Sequence, residues 1–448
     1  MKKKLSVWVS LVMVMILVAG CSGSETTTSE PTTETTTETE KSTTVEKESD
    51  SPTTDEEQVT LNIMSTLITE QEAPLEQAMA DAYMVEHPNV KIEFVGAPVN
   101  EIAKKIITLN TSGDLPDAFF MPTEFMAQAH AMGIVVDHEK LLGQEWISSL
   151  SGKIAEYSKM EDQLMIVPWH VIPVALIYRA DWLKDAGIDK IETMDDFLNA
   201  AKAFTTEDRW GFSMVGTNNG SGQARFTQYV RAFGVNEVYQ DASGKWVSDL
   251  TTDKYEVALQ SFVDLALKDG VVPPGATVTG YPEAAAYFAQ EKTGLMISGS
   301  NAIGAIESAN PELKGKLGSV SVPMAERHVT NLQTSGYAIT TACENPEVMA
   351  DYLKFMTSKD IAVDFALKSG RLPVTKEAAM DPSLQTETFK GFVDCMEYAL
   401  MSPSFPAYGE ILDIMGESYN TMIGNGLTID EAMDKLKSRL EVVLAENQ

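Results

Sequence analysis

The sequence predicts an α/β fold in which helices cover a mostly parallel sheet, and three observations carry that prediction. Val59, Leu61 and Ile63 alternate, Leu75, Ala78, Met79 and Ala82 follow at helical spacing, and Val90, Ile92 and Phe94 alternate again. Strand, helix, strand in such a short stretch is a βαβ unit, whose two strands run parallel because a crossover helix joins them. Apolar strand candidates recur at 164–167, 174–178, 211–215, 294–298 and 336–341, with helical stretches between them. No fixed-period repeat is visible, which argues against solenoids and propellers.

Taken from the N-terminus, the first element is not part of that fold. Lys2, Lys3 and Lys4 precede an acid-free apolar run from Leu5 to Ala19. A bilayer span needs about 20 residues, so the run reads as the apolar region of a secretory signal. Leu17-Val18-Ala19-Gly20-Cys21 resembles the lipobox of bacterial lipoproteins. That resemblance implies cleavage before Cys21, a lipid on its thiol, and a chain anchored to the outer face of the cell membrane.

The next stretch, Ser22 to Gln58, interleaves Thr with Glu and holds almost nothing apolar. It cannot bury enough surface to offset the entropy of ordering, so it reads as a disordered tether. Its eleven acids against two lysines give it a charge of −9, and with the +3 of the first lysines the remaining 390 residues carry −25 of the total −31. Self-repulsion keeps such a tether extended. A chain this acidic lacks the clustered Lys and Arg that track phosphates, which excludes a nucleic-acid partner.

Within the 390 residues, several helices are punctuated clearly. Thr193 with Asp196 opens one whose apolar stripe is Met194, Phe197, Leu198 and Ala201. Asn345 with Pro346 at the first helical position opens another, with Val348, Tyr352, Phe355 and Met356 on its buried side. Thr428 with Glu431 opens the last, striped by Ile429, Ala432, Met433, Leu436, Leu440, Val443 and Leu444. Two cysteines besides Cys21, Cys343 and Cys395, are too few for a disulfide framework and read as buried free thiols, with a pairing left open.

Catalysis finds little support. His87, His130, His138, His170 and His328 form no close pair of metal-ligand spacing, and there is no GxSxG elbow or GxxxxGK loop. No metal and no cofactor are expected. A pair of carboxylates acting on a glycan is the enzyme reading that stays open, since such pairs carry no local motif.

Five motifs, in order, carry a family resemblance from about Val59 to the C-terminus. Gly113-Asp114-Leu115-Pro116-Asp117-Ala118-Phe119-Phe120 is similar to a G-x-x-PD strand entry. Val167-Pro168-Trp169 through Tyr178-Arg179-Ala180-Asp181-Trp182-Leu183 is similar to a hinge strand running into Y-[NR]-x-D-hydrophobic. Phe288-Ala289-Gln290-Glu291-Lys292-Thr293-Gly294-Leu295-Met296 is similar to F-x-x-G-K-A-A-M, departing at Glu291. Ser335-Gly336-Tyr337-Ala338-Ile339 matches a G-G-x-x-I strand, and Gly370-Arg371-Leu372-Pro373 a G-x-[LP]-P turn. The chain thus resembles the family 1 extracellular solute-binding proteins of ABC importers, the group of maltose-binding protein and many sugar-binding lipoproteins.

The resemblance implies a two-lobe, periplasmic-binding-protein-like (type II) fold with a hinge and an interlobe ligand cleft. The N-terminal lobe is expected at 59–168 plus 324–372 and the C-terminal lobe at 169–323 plus 373–448, with crossings near Pro168–Pro173, Pro323 and Pro373. The function implied is capture of a solute by hinge closure and delivery to the permease subunits, by a monomer without enzymatic activity. A carbohydrate is favoured, because sugars present apolar faces and a hydroxyl rim suited to aromatic platforms and polar side chains. The cleft candidates are Thr123, Glu124, Trp169, His170, Tyr178, Trp210, Asn301, Tyr337, Phe405 and Tyr408. Asn301 stands where maltose-type relatives place a stacking Trp, which makes a maltodextrin a poor fit. A second reading keeps the scaffold and changes the solute to a polyamine, a phosphorylated compound or a peptide. Arg179, Arg225, Arg231, Arg327 and Arg371 are its anion-holding candidates, none clustered in sequence.

Overall fold

The computed structural model describes residues 58–447, so the signal segment, Cys21 and all but the last residue of the tether lie outside the described residues. The first βαβ unit forms as the alternation requires: β1 (Val59–Ser65), a helix at Ala73–Glu86, and β2 (Val90–Gly96), paired parallel. β3 (Ala118–Phe120) joins the other side of β1, also parallel. A short hairpin of β4 (Lys159–Met160) and β5 (Gln163–Leu164) leads into the 13-residue β6 (Val167–Arg179). After it come β7 (Trp210–Phe212), a hairpin of β8 (Tyr239–Gln240) and β9 (Trp246–Val247), β10 (Thr293–Gly299) and β11 (Leu317–Val320). The last strands are β12 (Thr330–Ile339), β13 (Leu372–Pro373) and β14 (Ala399–Leu400).

One sheet threads both lobes in the order β2-β1-β3-β12-β6-β10-β7. β6 is the shared strand: its first half pairs antiparallel with β12, from Val167 opposite Tyr337 to Pro173 opposite Leu332, and its second half pairs antiparallel with β10 and β11. The strand candidate at 174–178 is thus the second half of β6, which runs extended through Pro168 and Pro173, whereas the one at 164–167 divides between the end of β5 at Leu164 and the start of β6 at Val167. Pro168 sits opposite Gly336, where the register of β12 shifts, so the missing N–H falls at an irregularity of the ladder. Gly336 is required there for space: a Cβ would lie 2.3 Å from both Ile166 Cγ2 and the Val167 carbonyl.

Each lobe has its own core. One gathers Leu61, Ile63, Ile92, Ile102, Phe119 and Tyr352. The other gathers Phe197, Phe226, Tyr255, Phe262, Tyr419 and Leu436. A third, around β6, packs Val171, Ala175 and Ile177 against Phe288, Met296, Ala366 and Phe392. The helix at Lys359–Ser369 is split between two of them, giving Phe365 to the first core and Ala362, Val363 and Ala366 to the third.

Capping follows the sequence at two of three sites. Thr193 and Thr428 each close a full capping box with Asp196 and Glu431. Asn345 precedes the helix at Pro346–Met356 but makes no side-chain cap bond. Cys343 and Cys395 are buried and free. His138 is a packing residue: Nδ1 donates to the Leu164 carbonyl at 2.6 Å and Nε2 accepts from the Ile339 N–H at 2.9 Å, and burial pulls its pKa down to about 4. Among the described residues no helix is long and apolar enough to cross a membrane.

Candidate functional site

The strand registers fix where a ligand can be gathered. β1 and β3 are parallel and end at Ser65 and Phe120, and β12 carries that edge across to the start of β6, since Tyr337 pairs with both Phe120 and Val167. From the other lobe, β10 ends at Gly299 opposite Val174. The carboxyl ends of strands from both lobes thus converge on residues 169–174 of β6, the place where open α/β sheets bind ligands.

Buried polar atoms without a partner concentrate there. Trp169 Nε1, His170 Nδ1, Thr334 Oγ1, Ser300 Oγ, Arg371 Nε and Arg225 Nε all lack one among the described residues. Thr334 pairs with Val171, and Ser300 follows β10. Arg371 precedes β13, which pairs with His170 and Val171. Gly370, at φ +72°, lies against the Ser300 carbonyl, where an added Cβ would come within 2.6 Å. Buried polar groups are normally satisfied, so a cluster of unsatisfied ones at a strand convergence is suited to a polar solute.

Charge at the junction is set by few groups. The Arg371 guanidinium reaches Glu72, just before the helix at Ala73–Glu86. Glu76 is 2 % exposed and accepts hydrogen bonds from Ser65 Oγ and Tyr337 OH. Burial pushes its carboxyl up to about 7, against those bonds and the charge of Arg371. A carboxyl near neutrality suits acid–base chemistry, but this one is enclosed beneath the junction by its own partners. His170 stays neutral, held well below the usual histidine range by burial and then by Arg371. Among the described residues no group of three His, Cys, Asp or Glu side chains stands ready for a metal ion.

The ten expected site residues separate by position. Trp169, His170 and Tyr337 come together: Trp169 lies 4.3 Å from His170 and 6.3 Å from Tyr337, centroid to centroid, with Phe365 at 4.7 Å. They form a buried aromatic floor, Tyr337 being only 1 % exposed. Asn301 follows β10 at the junction, and Thr123 and Glu124 lie in the turn Thr123–Phe125 just after β3. Tyr178 and Trp210 are not brought there. Tyr178 pairs with Leu295, four residues before the end of β10, and its hydroxyl donates to Glu387 at 3.1 Å. Trp210 pairs with Thr293, six residues before that end, about 20 Å away at about 3.3 Å per residue. Phe405 packs edge-on against Trp246 in the second core, and Tyr408 accepts from Arg231 at 3.4 Å.

Sequence reading passed over Tyr281, Ser298, Ser300 and Thr334. Arg225 donates to Ser221 and to Ser298 Oγ at 2.9 Å, and its guanidinium stacks 4.8 Å from the Tyr281 ring. Ser300 was legible as the residue after a strand end; Tyr281, Ser298 and Thr334 carry no local signal.

Comparison with known proteins agrees with this architecture. Residues 66–363 match the family described as bacterial extracellular solute-binding protein. The lipoprotein LipO of Bacillus subtilis (strain 168) is 24% identical over 361 residues, 75% of this chain, and the chain spans 65% of LipO's length. The melibiose/raffinose/stachyose-binding protein MelE of the same strain is 21% identical over 69% of this chain and 74% of its own. In fold, the chain is similar to an ABC-transporter solute-binding protein of Thermotoga lettingae TMO solved with α-D-tagatose, with a TM-score of 0.72 and 18% identity over 86% of this chain and 100% of that one. With its two lobes, shared strand and polar junction, the chain belongs to the bacterial extracellular solute-binding proteins.

Proposed function

We propose that this protein is the carbohydrate-capturing lipoprotein of an ABC importer, which closes its lobes on an oligosaccharide and presents it to the membrane permease. The observation that carries the reading is the cluster of unpartnered buried polar atoms over an aromatic floor at the β6 junction. Hydroxyl groups are both donors and acceptors, and they suit such a mixed set better than an apolar solute does. Two relatives, a melibiose/raffinose/stachyose-binding protein and a protein solved with α-D-tagatose, point the same way.

Mechanistically, the lobes 59–168 plus 324–372 and 169–323 plus 373–448 turn about β6 and the segments near Pro323 and Pro373. A ligand touching both lobes only in the closed form shifts the equilibrium by its differential affinity for that form. Cys21 carries the lipid, and the Thr/Glu-rich segment spaces the receptor from the membrane.

A thermal-shift screen over mono- and oligosaccharides, polyamines, peptides and phosphorylated compounds tests the solute. A cognate sugar at 100 times its Kd stabilises by about 2.7 kcal/mol. Stabilisation by a polyamine or peptide and by no sugar contradicts the reading. Palmitate labelling of cells, present in wild type and lost in Cys21→Ala, tests the anchor.

A further inference from the structure

We propose that the solute is an acidic carbohydrate, whose carboxylate is held by Arg225 with Arg371 beside it. The inference rests on the sugar-receptor reading and deepens it. Among the five arginines that stood as anion candidates, Arg179 is paired with Asp181 and Glu291, Arg231 with Glu237, and Arg371 with Glu72. Arg327, also without a carboxylate in ion-pair contact among the described residues, gives Nε and Nη2 to the carbonyls of Arg231 and Val235 and to Asn236, in the second lobe's core region away from the junction residues. Arg225 has no carboxylate partner among the described residues: its bonds go to the Ser221 carbonyl, Ser221 Oγ and Ser298 Oγ.

That leaves two of its five donors, the buried Nε–H and one hydrogen on Nη2. A half-buried guanidinium whose Nε is shut off from water and without a counter-ion is costly, and burial pulls Arg225 down to about 10. A carboxylate on the ligand satisfies both donors and the charge at once.

Three observations place that open edge at the ligand junction. Ser298 is the penultimate residue of β10, whose end faces β6. Tyr281, under the Arg225 guanidinium, feels both cations: burial pushes its hydroxyl up, and the charges of Arg225 and Arg371 pull it back. Arg371, next to β13 where that strand pairs with His170 and Val171, also keeps a buried Nε without a partner among the described residues. Because Glu72 already balances Arg371, Arg225 is the guanidinium of this pair left without a carboxylate, and its single charge matches a monoanionic carboxylate better than a dianionic phosphate.

Calorimetric titration of the purified full chain tests this with short galacturonic- and glucuronic-acid oligosaccharides, the same oligosaccharides after reduction of their carboxyls to alcohols, sugar phosphates, and inorganic phosphate. The expected result is binding of a uronate oligosaccharide, weakened about tenfold or more both by carboxyl reduction and by Arg225→Gln. The reduced, neutral ligand is expected to bind Arg225→Gln and wild type alike. Arg225→Lys, which keeps the charge and loses the fork, should fall between them. It also keeps the test decisive if Arg225→Gln fails to fold. Neutral sugars binding as tightly as acidic ones, with Arg225→Gln and Arg225→Lys indifferent, overturn the proposal and leave the sugar-receptor reading standing. Tighter binding of a phosphate overturns the carboxylate. Failure of every carbohydrate to bind sinks both readings.

Discussion

Glu76 is a carboxylic acid kept in the wrong solvent, and the sign of its effect can be worked out. Its folded pKa, about 7, lies above the ordinary 4.5, so between those values the folded state holds more protons than the unfolded one. Its contribution to stability is complete below about pH 4.5 and is lost as pH rises toward 7. Glu76→Gln, which cannot ionise, should therefore gain on wild type across that window by up to ~3 kcal/mol, read by denaturant titration at stepped pH. His138 acts oppositely. Its folded pKa, about 4, lies below the ordinary 6.5, so its contribution is complete above 6.5 and is lost as pH falls. The two slopes oppose each other through mildly acidic pH, and replacing Glu76 should uncover a loss of stability on acidification. A second residue prediction concerns Arg231, fully buried with Glu237. Arg231→Ala should cost about 3–5 kcal/mol in the same assay, because the Glu237 charge is left buried and unpaired. At this scale the sequence was least legible. Residue type nominated aromatics, but nothing in a linear pattern separates an aromatic floor such as Trp169 from a core ring such as Phe405. Arg225, Tyr281 and Arg371 come near one another only because the fold brings the helix at Gly220–Ala232, the start of the helix at Tyr281–Ala289 and the β13 turn together.

Elements were far more legible, since their signals are local. Alternation located β1 and β2, an apolar run located β10, and the Thr-x-x-Asp and Thr-x-x-Glu boxes located two helix starts to the residue. Thr428→Ala should lower stability by about 1 kcal/mol, seen as a lower denaturation midpoint with unchanged slope. What alternation could not give was pairing. The 174–178 run is only the second half of a strand that begins at Val167 and passes through Pro168 and Pro173; the partner strands β12 and β10 hold that interval extended. Gly336 makes the same point from the other side. It reads as part of a motif, and the structure supplies the reason: the backbone of β6 passes where its side chain would be. Gly336→Ala should cost more than the cap substitution, about 2–4 kcal/mol, because backbone and Ile166 must both move.

For the molecule as a whole, a charge of −31 first served to exclude nucleic acid, and the fold gives it a location. The body's −25 surrounds a junction where the described cations slightly outnumber their partners, so an acidic ligand would meet repulsion at distance and attraction at the site. Capture of such a ligand should strengthen as salt is raised from low concentration, until the local pairing is screened as well. The proposed lobes share one continuous strand, with a core on either side of it and a third around it, and the central proposal is that they close on the solute by turning about that strand. Small-angle scattering with and without saturating oligosaccharide tests that central claim most directly. The account predicts a smaller radius of gyration with the sugar bound. Saturation proven by calorimetry, with scattering curves that superimpose, would contradict it.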